Sequence, residues 1–418
     1  MTQLADDCFA FGGKLMTAAE ALALLHRRIQ PLDETEQVPL REALGRVLSA
    51  DLVSAITVPP KDNAAVDGYA FAVADLNAGG DTALPVAGRA AAGRDLEGHY
   101  RVGTAVRVFT GAQLPEGCDT VVMQEDVRLE GNVVVIPAGL KRGANRRKAG
   151  EDLQSGQVAL RRGSRLRAQE IGLAAAMGRP TLPVHRRLRV ALFSTGDELR
   201  DPGEPLAPRI IHDANRHMLA ALLQGLGVTI DDLGILPDRE MAVREALAAA
   251  AGCHDLLLTS GGVSTGEEDH VRAAVETLGH LHFWRLAVKP GRPIALGQVG
   301  RVPFIGLPGN PVAAMVCFMR FCRPIILRLC GAESTEPQLF PVRADFEHQK
   351  KLDRREWLRA KLVTGPDGGL WAKPYPKQGS GIISSLVGSD GLVELTEEVT
   401  QVRRGSIVGF LPFREMSW

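Results

Sequence analysis

The segment Thr259-Ser260-Gly261-Gly262-Val263-Ser264-Thr265-Gly266-Glu267-Glu268-Asp269-His270 brings together the groups that could hold an anion beside a cation. Its glycines permit φ > 0 and close backbone approach, Ser260 and Ser264 offer hydroxyls, and three acids stand where the next helix should begin. The apolar run Leu256-Leu257-Leu258 enters it, and the helical spacing Val271, Ala274, Val275, Leu278 leaves it. Strand, glycine turn and helix N-terminus present unpaired N–H groups and a dipole that favours negative charge by about 0.3–1 kcal/mol. Glu267, Glu268 and Asp269 would nevertheless repel a bare phosphate. A divalent cation held between acids and phosphate resolves that conflict.

Other chemistry-bearing residues recur at equivalent places. Asp197 and Glu198 follow the predicted strand 188–193, Asp238 follows the strand 228–233, and Pro308-Gly309-Asn310 follows the strand 302–307. Open parallel sheets bind ligands outside the carboxyl ends of their strands, so one topology would draw these groups to one edge. Arg285, Lys289 and Arg292 add three cations nearby, the balance expected of a site for metal-bridged phosphates. Elsewhere, Asp67 before Gly68 reads as a turn residue on spacing alone. The run from Lys141 to Asp152 is a solvated basic loop or a phosphate clamp; it lacks the interleaved aromatics of a nucleic-acid binder.

The elements that must position these groups fall into blocks. Thr17-Ala18-Ala19-Glu20 matches a capping box, and a second helix is expected over 40–48. Short β-type runs punctuated by Gly, Pro and Asn fill 82–166, then a helix spans 169–177. From Leu188 to Leu329 strands and helices alternate, which predicts an open, mostly parallel α/β sheet covered on both faces. Residues 337–418 return to short strands, with Arg354-Arg355-Glu356-Trp357-Leu358-Arg359-Ala360 and Gln378–Ser385 as distinctive pieces, and predict a small C-terminal β domain.

A chain of 418 residues with 45% hydrophobic content has ample core for several domains. Basic and acidic residues balance at 49 each, which points away from nucleic acid and anionic membranes as partners. No apolar run reaches the ~18–20 residues of a membrane span, and the first residues lack a basic secretory start, so the expectation is a cytoplasmic protein. The six cysteines are scattered without metal-ligand spacing and read as small core residues.

The ordered motifs together resemble one family, the molybdopterin molybdenumtransferases of the MoeA and gephyrin E-domain group. The likeness runs through Asp62-Asn63, Asp67-Gly68-Tyr69-Ala70, Thr110-Gly111-Ala112, Pro115-Glu116-Gly117, Arg146–Asp152, Ser194–Leu199, Thr259–Asp269, Lys289-Pro290-Gly291, Gly306–Pro311 and Gly379-Ser380, in the family's order. It implies a flexible start (1–14), a linking domain (35–53 and 156–186) and a β-rich domain inserted into it (54–155). It further implies an α/β catalytic domain like that of molybdopterin adenylyltransferases (15–34 and 187–334) and a barrel-like C-terminal β domain (335–418). The implied reaction is Mg2+-dependent: adenylylated molybdopterin and molybdate give molybdenum cofactor and AMP. By resemblance, Asp238 and Asp269 are metal and catalytic acids, Glu198 supports them, and Lys289 acts with them. Ser260, Gly261, Gly262, Ser264, Pro308 and Asn310 would contact substrate, while Arg285, Arg292, Arg359 and Ser380 would bind anions. Asp67, Thr110, Arg147 and Asp152 would come from the other protomer of a homodimer, and a transient contact with molybdopterin adenylyltransferase is implied.

Departures from the family pattern are Ala64 and Val66 ahead of Asp67, and Arg285 and Arg292 at positions often held by Lys. Two further readings stay open at this point. Adenylylation of molybdopterin by ATP would show as pyrophosphate release, and a non-catalytic scaffold would bind a partner without molybdate-dependent AMP release.

Overall fold

Along the strand Arg189–Thr195, Val190 and Leu192 pack into one hydrophobic cluster while Ala191 and Phe193 pack into another. The alternation follows from the two-residue period of a strand, and burial on both faces explains why the run is apolar throughout. Leu219, Leu223 and Val312 cover the first face from the helices Ala214–Gly225 and Pro311–Cys317. Val243, Leu247, Val271 and Val275 cover the second from Glu240–Ala251 and His270–Leu278. The computed structural model describes residues 16–262, 270–291 and 293–417.

These elements belong to the first of two compact units, formed by Met1–Ser49, Gly163–Arg167 and Leu182–Trp418. Its central sheet runs in the order Thr229–Leu236, Arg189–Thr195, Leu256–Ser260, Val302–Leu307, Pro293–Val299, Gly279–Arg285. The first four strands are parallel, but the last three pair antiparallel, so the sheet is less uniformly parallel than the sequence pattern suggested. The cause is local: the two residues Gly300 and Arg301 join Pro293–Val299 to Val302–Leu307, and Gly300 takes φ +59°.

The expected first helix is present as Ala18–Arg28, with Thr17 and Glu20 forming a reciprocal capping box. The expected helix over 40–48 reduces to one short turn, Leu40–Glu42. Long-range pairing takes the rest: Gly45 N–H donates to Leu166 O at 2.8 Å and Leu48 N–H to Ser164 O at 3.0 Å. Gly45 sits at φ +75°, a conformation that no helix interior accepts. Beyond residue 310 the chain is helical to Leu329, with a π-helical stretch at Phe318–Cys322 just before Pro324, whose missing N–H interrupts the ladder.

The C-terminal residues of this unit close a five-stranded barrel. Arg355–Thr364 pairs with Leu370–Pro374 and with Gly391–Leu395, and Phe340–Ala344 and Ile407–Pro412 complete the ring. Phe410, Val393, Leu358 and Ala360 fill its interior. A sixth strand, the dipeptide Val288–Lys289, adds to it in parallel with Arg355 and Glu356.

The second unit, Ala50–Arg162 with Ala168–Thr181, is built on a six-stranded sheet. Its order is Thr120–Met123, Gly68–Phe71, Ala105–Val108, Thr82–Ala90, Val133–Ile136, Arg128–Glu130. Ala70, Val106 and Val121 pack on one face; Tyr69, Phe71, Ala105 and Val122 pack on the other. Among the described residues no helix is long and apolar enough to cross a membrane.

Candidate functional site

A cavity of about 720 Å³ opens at the carboxyl edge of the parallel strands in the first unit. Glu198 reaches it from the loop after Arg189–Thr195, Gly261 and Gly262 from the end of Leu256–Ser260, and Pro308, Gly309 and Asn310 from the end of Val302–Leu307. The barrel supplies the other wall through Glu356, Arg359, Gln378, Gly379 and Ser380, and Lys289-Pro290-Gly291 runs between the two. The convergence follows from the chain path: adjacent parallel strands end at the same edge, and their following loops must meet there.

The wall is held by backbone geometry as much as by side chains. Gly261 N–H donates to Leu307 O at 3.0 Å, tying the glycine turn to the neighbouring strand. At Gly262 φ is +62°, and a Cβ would stand 2.3 Å from Thr195 Oγ1, so only glycine fits. Asn310 precedes the helix that begins at Pro311, and Val312 N–H donates to Ser380 O at 3.0 Å, fastening the helix start to the barrel loop. The N-terminal end of that helical run therefore faces the cavity, with the partial positive charge expected of such an end.

Arg359 is the most telling cation. It is 1% exposed, its Nε donates to Ser385 Oγ at 3.0 Å, and one terminal nitrogen donates to Gly379 O at 3.0 Å. Among the described residues its partners are a hydroxyl and carbonyls, with no carboxylate, and burial pulls its pKa below the usual guanidinium range. An unneutralised buried cation on a cavity wall is costly unless an anion visits it. Lys289, half-exposed, adds a second positive charge and lies 3.5 Å from the buried carboxylate of Glu356.

Other candidates are placed differently. Ser260 is 3% exposed; its hydroxyl accepts from Asn215 Nδ2 at 2.8 Å and donates to Pro308 O at 3.2 Å, so it braces two loops. Asn215 also donates to Gly309 O at 2.7 Å. Sequence reading missed this bracing residue, although the Asp213 cap just before it signals the helix start that places it. Asp238 is half-buried after Thr229–Leu236 and is not among the residues lining the cavity. Ser264, Asp269 and Arg292 lie outside the described residues, as does the side chain of Arg285.

Asp67, Thr110, Arg147 and Asp152 belong to the second unit. Thr110 donates to Asp67 Oδ1 from both its N–H and its hydroxyl, each at 2.8 Å. The backbone donor and then the hydroxyl hold the Asp67 carboxyl below its ordinary range. Arg147 is exposed on a two-residue strand paired with Asn63 and Ala64, and Asp152 is exposed in the turn that follows. Two charges of the expected clamp are spent internally: Arg142 pairs with Asp119 at 2.7 Å and Arg146 with Asp62 at 3.3 Å.

Three family profiles match the chain in succession: "MoeA N-terminal region (domain I and II)" over residues 16–178, "Probable molybdopterin binding domain" over 191–328, and "MoeA C-terminal region (domain IV)" over 341–413. A molybdopterin molybdenumtransferase of Haemophilus influenzae is 36% identical over 404 residues, covering 96% of this chain and 100% of that one. One from Nostoc is 37% identical over 348 residues, covering 81% and 80%. The crystal structure of a molybdopterin biosynthesis moeA protein from Pyrococcus horikoshii OT3 has a TM-score of 0.79 at 31% identity, with 96% of this chain and 100% of that chain covered. With relatives this similar over 80–100% of their length, the chain belongs to the molybdopterin molybdenumtransferase family.

Proposed function

We propose that this chain inserts molybdate into adenylylated molybdopterin, releasing AMP, and that the 720 Å³ cavity is where the oxyanion is held. The observation that carries the reading is Arg359, a buried guanidinium without a carboxylate partner among the described residues, on the barrel wall with Ser380 and lining the same cavity as Lys289. Molybdate is a tetrahedral dianion, which a planar fork and a flexible ammonium suit from two sides. Cleavage of a pyrophosphate link needs positioning and charge neutralisation more than a protein nucleophile. Water adds across the pyrophosphate link, leaving a phosphate on molybdopterin and releasing AMP, and the oxygens that molybdenum gives up as it bonds to molybdopterin leave as water with protons from the ligand and solvent. Gly261, Gly262 and Asn310 offer close backbone approach for the phosphates.

The acids fit Mg2+. Ser194 and Thr195 stand in register with Ile235 and Leu236, so Glu198 and Asp238 leave the ends of neighbouring strands and offer hard oxygen donors. Mg2+ keeps several waters and is commonly held by one or two carboxylates together with substrate phosphates. Asp238, with Asp269 from the sequence motif, would hold it, and Glu198 would support them. When bound, Mg2+ neutralises phosphate charge.

Supply of adenylylated molybdopterin, molybdate and Mg2+ to the purified protein should yield AMP, with none formed when molybdate is omitted. Pyrophosphate release from ATP and molybdopterin would instead assign the preceding adenylylation, and partner binding without AMP release would assign a scaffold. The proposal extends to a homodimer in which Asp67, Thr110, Arg147 and Asp152 complete the partner's site. Mixing inactive Asp67→Ala and Asp238→Ala proteins should then restore about a quarter of the wild-type rate, because half the dimers are mixed and each has one intact site. No recovery despite subunit exchange would place both residues in one protomer's site.

A further inference from the structure

We propose that Glu356 is a positioning residue that fixes Lys289 for the oxyanion, an inference that rests on the reading of the cavity given above. Glu356 belongs to the run Arg354–Ala360, which the sequence marked as distinctive and for which only Arg359 has so far received a part. Parallel pairing of Val288 with Arg355 and Lys289 with Glu356 makes residues 289 and 356 direct neighbours across two strands. Register alone therefore brings the ammonium to the carboxylate, and Lys289 Nζ lies 3.5 Å from Glu356 Oε2.

Exposure assigns the two partners different parts. The Glu356 side chain is 1% exposed and that of Lys289 is 51% exposed, so the carboxylate is a fixed anchor beneath a cation that keeps an open side. His348 Nε2 contacts the same Oε2 at 3.1 Å, and Arg354 binds the other oxygen, which leaves the carboxylate little freedom to move. Burial pushes the Glu356 carboxyl up, but the contacts with His348, Arg354 and Lys289 outweigh it and hold the group charged.

A buried negative charge on the wall of an anion cavity is unfavourable by Coulomb's law unless it organises the cations around it. Lysine is the cation that most needs such organisation, because its four-carbon stem loses rotamer freedom when the ammonium is fixed. Glu356 removes much of that loss before the oxyanion arrives, which is preorganisation by a supporting shell.

The test is the molybdate dependence of AMP release by Glu356→Gln, Lys289→Met and the double variant. Glu356→Gln should raise KM for molybdate by about 3- to 10-fold with kcat within about twofold, and should add nothing further in the Lys289→Met background. Glu356→Asp, which keeps the charge but withdraws it by one methylene, should fall between wild type and Glu356→Gln; it replaces Glu356→Gln in the cycle if that variant does not fold. An equal loss from Glu356→Gln with and without Lys289 would overturn the positioning proposal alone. If Lys289→Met itself leaves the molybdate KM unchanged, the reading of the cavity falls, and the proposal falls with it.

Discussion

Asp238→Asn is expected to slow AMP release by roughly 10²- to 10³-fold while leaving the protein folded. The substitution keeps the shape of the side chain and removes one negative oxygen at the end of the strand Thr229–Leu236, where a cation facing the phosphates would be held. Asparagine still offers a carbonyl oxygen, so part of the loss should be recovered at higher Mg2+. Single-turnover AMP release across a Mg2+ titration checks both points, and an unchanged melting temperature separates them from misfolding. Asp269→Asn carries the same expectation on the strength of the sequence motif. A normal rate for either variant would remove the metal-binding acid from the account.

Arg359→Met is the second large effect. Methionine keeps much of the buried volume but deletes the charge, so the hydroxyl of Ser385 and the carbonyl of Gly379 lose a donor and the proposed oxyanion site loses its buried cation. Losing one charge-assisted contact in a desolvated pocket costs about 2–5 kcal/mol, so the molybdate KM should rise by about 30-fold or more. Arg359→Lys restores charge without the planar fork and should recover only part of that loss. Molybdate titrations of AMP release, read beside thermal melting, distinguish a lost ligand contact from a weakened barrel.

Much of this site was legible before any coordinates because its pieces obey local rules. The capping box at Thr17, the strand entering Ser260 and the turn at Pro308 each depend on residues within a few positions of one another. Elements decided at a distance were not legible. Residues 40–48 have a helical pattern, yet Gly45 and Leu48 find better partners more than a hundred positions away at Leu166 and Ser164. The antiparallel edge of the main sheet turns on Gly300, whose signal is too small to outweigh the surrounding alternation of strands and helices.

The same division holds within the site. Gly261, Gly262, Lys289 and Arg359 were identified by motif, and the structure places all four on one cavity. Ser260 was expected to face substrate, whereas its hydroxyl is engaged by Asn215 and Pro308, a brace that only a folded sheet edge reveals. Glu356 carries no local signal beyond its unusual run of charges; its pairing with Lys289 exists only because a dipeptide between two α/β strands joins the barrel sheet. The brace and the anchor both arise from long-range register, which is the information a single sequence carries least visibly.

The most direct measurement is anomalous diffraction from crystals of this protein equilibrated with tungstate, a heavy oxyanion of nearly the same size and charge as molybdate. The account predicts one dominant peak in the cavity, within hydrogen-bonding reach of Arg359, Lys289 and Ser380, and its loss in Arg359→Met. A peak at another site that persists in Arg359→Met, with the cavity empty, would contradict it.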